Sequence, residues 1–205
     1  MALLVALVGA SVWMQEGQLH GQKTKEPVVD IPSKEPPKNL KRGSLTPGRV
    51  MELKTARGVI EFVLFEKDCP VTTKRIVDLA LEGCYDGNKF SRVEEWVIQT
   101  DLCKKKVKPF GLEIREGLVH AKGAVGMART DDPNSHTSSF YVVLEPQPSL
   151  NYQYTVFGRL IRGMDVAMRI RAGDLIRKAR VRPLSAADRK RFFEILRIEA
   201  ERRTD

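Results

Sequence analysis

Between Val50 and Arg182 the apolar residues come in short runs, each closed by glycine, proline or asparagine. A chain punctuated this often cannot sustain long helices, and its short runs must pair with one another to satisfy their backbone groups. Met51–Thr55, the turn Ala56-Arg57-Gly58 and Val59–Phe65 follow the pattern strand, tight turn, strand. Further strand-like pieces are Lys89–Val93, Trp96–Ile98, Ala124–Met127, Phe140–Leu144, Thr155–Arg159 and Leu175–Val181. Pro70 suits the first turn of a helix and Gly83 its exit, and a second short helix fits Gly163–Ile170. Many short strands with two helices predict a mainly-β barrel or sandwich with helical caps.

The flanks differ from this core. Residues 1–14 form an apolar leader, too short to span a bilayer, which resembles the apolar region of a secretory signal peptide. Val8-Gly9-Ala10 offers small residues for cleavage, so the expected location is extracytoplasmic, secreted or periplasmic, with the cytoplasm as the alternative. Membrane contact is expected only through this leader, if uncleaved. Residues 15–48 form a linker whose Pro- and Lys-rich stretch has almost no apolar side chains; it is expected to be disordered. The folded domain is expected over 49–184 and a basic helical extension over 185–205. In that extension Ser185 and Asp188 make a capping box, and Phe192, Ile195, Leu196 and Glu199 share one helical face. The helix is expected to pack on the barrel, with a partner-binding or membrane-surface role as the alternative.

The chain has 35 Lys+Arg against 26 Asp+Glu, a net charge of +9. The basic residues are scattered and lack neighbouring aromatics for base stacking, which favours a solvated surface over nucleic-acid binding. Cys69, Cys84 and Cys103 show neither a CxxC pair nor a ligand spacing with histidine, so no metal site or cofactor is expected. Three cysteines allow at most one internal disulfide.

Several blocks then occur in a specific order. Arg57-Gly-Val-Ile-Glu-Phe-Val-Leu-Phe-Glu66 is followed by Cys69-Pro-Val-Thr-Thr-Lys74 and Phe90-Ser-Arg-Val-Glu-Glu-Trp-Val-Ile-Gln99. Next come Gly126-Met-Ala-Arg-Thr-Asp-Asp-Pro-Asn-Ser135, Ser138-Ser-Phe-Tyr-Val142, Leu150-Asn-Tyr-Gln-Tyr-Thr-Val-Phe-Gly-Arg159, Gly163-Met-Asp165 and Gly173-Asp-Leu-Ile176. Over most of Val50–Arg182 this series resembles the cyclophilin family of peptidyl-prolyl cis-trans isomerases. The resemblance implies a closed eight-stranded antiparallel β-barrel capped by two helices. It also implies acceleration of rotation about Xaa-Pro bonds in unfolded or loop segments, in aid of folding. By the same resemblance Arg92 is the catalytic cation. Trp96, Val97, Tyr141 and Leu150 form the proline pocket, and Gln99 hydrogen-bonds the substrate backbone. Ala128 lines the path of the residue before proline, and Ser139 and Tyr154 complete the binding set.

The chain departs from the family pattern in places. Ser91 stands where the family usually has His, Ser139 where Gln is common, Ser149 where many eukaryotic members have Trp, and Tyr154 where those have His. The interval from Arg92 to Gln99 is one residue short, and Leu102-Cys-Lys-Lys-Lys-Val-Lys108 replaces a Gly-rich loop. The shortened loop is expected to shift Trp96 over the pocket and lower turnover. The alternative function is therefore a catalytically weak module that binds Pro-containing peptides. A third reading has Lys104–Lys106 and the basic tail dock acidic partners.

Overall fold

The computed structural model describes residues 35–201. The leader, most of the linker and the last four residues lie outside them. Eight strands are described: β1 Val50–Thr55, β2 Val59–Leu64, β3 Phe90–Glu94, β4 Val97–Thr100, β5 Ala124–Met127, β6 Phe140–Val143, β7 Val156–Arg162 and β8 Ile176–Arg182. They form one antiparallel sheet in the order β3-β4-β6-β5-β7-β2-β1-β8. The sheet curls until its edges meet only near the start of β3 and β8. There Lys89 bridges Leu175, Ile176 N–H donates to the Asn88 carbonyl, and Phe90 N–H donates to the Asp174 carbonyl. The expected closed barrel is thus a curled sheet with a short seam.

Its inside is aromatic. The Phe140 ring meets Tyr85 at 5.3 Å, Phe62 at 5.8 Å and Phe157 at 6.4 Å between centroids, the tilted and edge-on arrangements that ring quadrupoles favour. Strand alternation places Phe140 and Val142 in this core and leaves Tyr141 on the other face.

Three helices are described. Helix α1, Pro70–Leu81, has its first turn capped from a distance: the Glu113 carboxylate accepts the N–H groups of Val71 and Thr72. Ile76, Leu79 and Ala80 are buried at helical spacing, and Gly83 leaves the helix at φ +73°. Helix α2 is only Met164–Ala167, shorter than its apolar pattern. Helix α3, Ala186–Glu201, packs on the barrel: Phe192 is fully buried 6.0 Å from Phe65, and Ile195 and Leu196 rest on the core. Its start is locked reciprocally, Ser185 Oγ donating to Asp188 and Asp188 N–H returning a bond to Ser185 Oγ. Arg162 and Arg182 close on Asp188 and Glu61 together.

The expected linker needs correction at its C-terminal end. Gly43 N–H donates to the Glu116 carbonyl, Ser44 and Leu45 N–H donate to Asp68, and Gly48 N–H donates to the Leu64 carbonyl. This stretch docks through backbone groups answered by distant partners, which its own composition does not display. Cys84, just after α1, and Cys103, after β4, form a disulfide, and Cys69 is a buried free thiol.

Candidate active site on the outer face of β3, β4, β6 and β5

Arg92 on β3 is directly opposite Gln99 on β4, Gln99 opposite Tyr141 on β6, and Tyr141 opposite Gly126 on β5. The four form a row on the face away from the Phe140 core. Gly126 is required there, since an added Cβ would overlap the Tyr141 ring lying across it. The row begins at a hairpin whose closing pair is Glu94 and Val97, so Glu95 and Trp96 make its turn. The turn is tied to the sheet by Leu144 N–H, which donates to the Trp96 carbonyl at 2.7 Å.

Arg92 is about half exposed, and its guanidinium sits 5.0 Å from the centre of the Trp96 ring, within cation–π range. It also donates from Nε to Glu94 Oε1 at 2.6 Å and from Nη2 to Oε2 at 3.2 Å. Those bonds raise the Arg92 pKa further, and its charge interacts with both Tyr154 and Tyr141. Glu94 is held below the usual carboxylate range, first by Arg92 and to a lesser degree by the Trp96 indole N–H.

Tyr141 is anchored from behind. Its hydroxyl is 2.8 Å from His120 Nε2, and His120 Nδ1 is 3.2 Å from the Asn151 amide oxygen. An amide oxygen only accepts, so Nδ1 carries the proton and the tyrosine hydroxyl donates to Nε2. Burial pushes the His120 pKa down to about 4, which keeps the imidazole neutral at neutral pH, and burial raises the Tyr141 pKa so that it stays a phenol. Tyr154 meets the Tyr141 ring edge-on at 6.4 Å and carries the Arg129 guanidinium 4.2 Å from its centre.

Arg92, Trp96, Gln99, Tyr141 and Tyr154 are therefore brought together. Ala128 follows β5 directly, with its N–H on the Ser139 carbonyl, and Leu150 ends a short 3-10 turn, Pro148–Leu150. Val97 is 1 % exposed and lies opposite Glu94 and Val143, on the same face as Gln99 but covered. Ser139 is 4 % exposed, and its hydroxyl donates to the Thr100 carbonyl at 2.6 Å, so it supports the β4–β6 contact. A cleft of about 1040 Å³ lies beyond His120 and Asn151, lined also by Met164 and Ile195, on the α3 side rather than at Arg92. Sequence reasoning passed over Glu94, His120 and Asn151. Strand alternation, which puts residues two apart on one face, was the available signal for Glu94. His120 and Asn151 are 31 residues apart and share no local pattern.

Comparison with known proteins identifies the family. The family profile described as "Cyclophilin type peptidyl-prolyl cis-trans isomerase/CLD" matches residues 50–187. A peptidyl-prolyl cis-trans isomerase of Acinetobacter baylyi is 33% identical over 133 residues, covering 59% of this chain and 71% of the relative. Peptidyl-prolyl cis-trans isomerase B of Bacillus subtilis is 35% identical over 129 residues, 60% of this chain and 90% of that one. The fold matches the crystal structure of a cyclophilin-type isomerase of Cryptosporidium parvum with a TM-score of 0.60 at 22% identity, over 67% of this chain and 99% of the other. The chain thus belongs to the cyclophilin-type peptidyl-prolyl cis-trans isomerases, enzymes that turn the peptide bond before proline.

Proposed function

We propose that Arg92 is the catalytic group and that Trp96, Gln99, Tyr141, Leu150 and Tyr154 hold the substrate around it. Rotation of a peptide bond meets a barrier of about 18–20 kcal/mol because twisting breaks amide resonance. Once twisted, the prolyl nitrogen regains a lone pair that a fixed cation can donate to, and neither planar isomer offers that acceptor. Stabilisation confined to the twisted form lowers the barrier without nucleophile or proton transfer.

The observation that carries the assignment is the facing pair Arg92 and Gln99, with Tyr141 next in the same row. Arg92 Nη1 makes no hydrogen bond among the described residues, so its two hydrogens are available to the prolyl nitrogen. Gln99 takes the substrate backbone, and the rings of Trp96 and Tyr141 with Leu150 receive the pyrrolidine. Clients are exposed Xaa-Pro bonds of unfolded or loop segments. A second crystal structure of the Cryptosporidium enzyme was determined in the presence of the dipeptide Ala-Pro. The Cys84–Cys103 disulfide and the apolar leader support work outside the cytoplasm, where disulfides persist.

The test is cis-to-trans exchange of a short Xaa-Pro peptide, read by NMR. Arg92→Ala should lose about 100-fold in kcat with the circular dichroism spectrum unchanged, the scale set by removing one preorganised donor. Full activity in Arg92→Ala would remove it from the chemistry. Binding without exchange in the parent protein would favour the peptide-holding module.

A further inference from the structure

We infer that Glu94 is a positioning residue for Arg92, fixing which edge of the guanidinium faces the substrate; the inference rests on the isomerase reading of Arg92. Arg92 lies on an edge strand with its side chain 46% exposed, and an arginine so placed has many rotamers available. Three observations narrow them to one. The Glu94 carboxylate takes Nε and Nη2 in a two-point grip, which sets the plane and roll of the guanidinium. The Trp96 ring, 5.0 Å away, covers one of its faces. The hairpin itself closes at Glu94 and Val97, so Glu94 sits at the most constrained end of β3, two residues from Arg92 and on the same face.

The grip occupies the Nε/Nη2 edge and leaves Nη1 without a hydrogen bond among the described residues. A donor that must meet a lone pair present only in the twisted state gains most from being oriented beforehand, and small displacements of such groups are costly.

The experiment compares Glu94→Ala, Glu94→Gln and Glu94→Asp in the full chain on the short Xaa-Pro peptide, with kcat and KM measured separately. Glu94→Ala should lower kcat about tenfold with KM within about twofold. Glu94→Gln, whose amide oxygen still accepts one bond, should fall between Ala and the parent. In the parent the Arg92 Nε–H should give a resolved NMR resonance, lost in Glu94→Ala. In an Arg92→Lys background Glu94→Ala should cost nothing further. Unchanged or increased kcat in Glu94→Ala would overturn the inference, the increase meaning that Glu94 competes with substrate for the guanidinium. An equal loss in the Lys background would also overturn it, because the effect would then not pass through Arg92. Loss of activity in Arg92→Ala beside full activity in Glu94→Ala sinks the inference alone, whereas full activity in Arg92→Ala sinks the reading beneath it.

Discussion

His120 is the buried group whose ionisation the fold forbids. It packs against both Tyr141 and Tyr154 and accepts a hydrogen bond from the Tyr141 hydroxyl at the nitrogen a second proton would need. An unfolded imidazole takes up that proton near pH 6.5, whereas the folded one refuses it until about pH 4. Between those values the unfolded state binds more protons, so stability present above pH 6.5 is lost as pH falls toward 4. The shift corresponds to about 3 kcal/mol. NMR titration should show a neutral His120 at pH 5, and a signal titrating at 6.5 would contradict the buried pair. Tyr141→Phe keeps the ring over Gly126 but leaves His120 Nε2 without a donor, which should cost about 1–3 kcal/mol in urea unfolding. At this scale the family resemblance in the sequence pointed to Arg92, Trp96, Gln99, Tyr141 and Tyr154, which the fold brings together. It did not show how deeply Val97 and Ser139 are buried, because the partners that cover them, such as Thr100 on β4 for Ser139, are supplied by a distant strand.

The elements were legible wherever their signal is local. Strand alternation, Pro70 and Gly83 place β1, β2 and α1 within a residue or two, and Ser185 with Asp188 marks the start of α3. Two elements depended on tertiary contacts instead. Helix α2 stops at Ala167 although its apolar pattern runs on to Ile170, and residues 41–48 dock by backbone bonds to Glu116, Asp68 and Leu64. The junction of α3 offers a test of such contacts. Asp188 is 1 % exposed, and hydrogen bonds from Arg182, then Ser185 and Arg162, hold its pKa far below the usual carboxylate range. A depressed carboxylate stabilises the fold above its unfolded value near 4 and loses that contribution as the medium is acidified past it. Asp188→Ala should cost about 2 kcal/mol, less than the 3–5 of a sealed pair because both arginines keep contact with water. Urea unfolding at pH 7 measures it, and the difference from the parent should shrink in strong acid. A constant difference would mean that packing rather than charge is lost.

At the scale of the whole molecule, the strand that carries Arg92 stands at the shortest join in the curled sheet. Strand β3 carries Arg92 but is paired along its length only with β4, and its other side meets β8 through the few bonds around Phe90, Asn88 and Ile176. The neighbourhood of that seam is braced from two directions. The Asn88 side chain donates to the Asp101 carbonyl, and the Cys84–Cys103 disulfide ties the end of α1 to the loop after β4. A cross-link over a separation of 19 residues contributes about 3 kcal/mol by restricting the unfolded chain. Local opening of the seam is cheaper than global unfolding, since it exposes one edge while the aromatic core stays packed. Amides of Phe90 and Ile176 should therefore exchange with solvent before those of β2 and β7, which are paired on both sides. Reducing the disulfide, or replacing Cys103 by Ser, should raise exchange at these seam amides by more than at β7. It should also lower kcat on a short Xaa-Pro peptide, because the strand that carries Arg92 is then braced by β4 alone. Equal acceleration of exchange everywhere would show that the bridge acts only on global stability, and β3 would then be held by its hairpin with β4 alone.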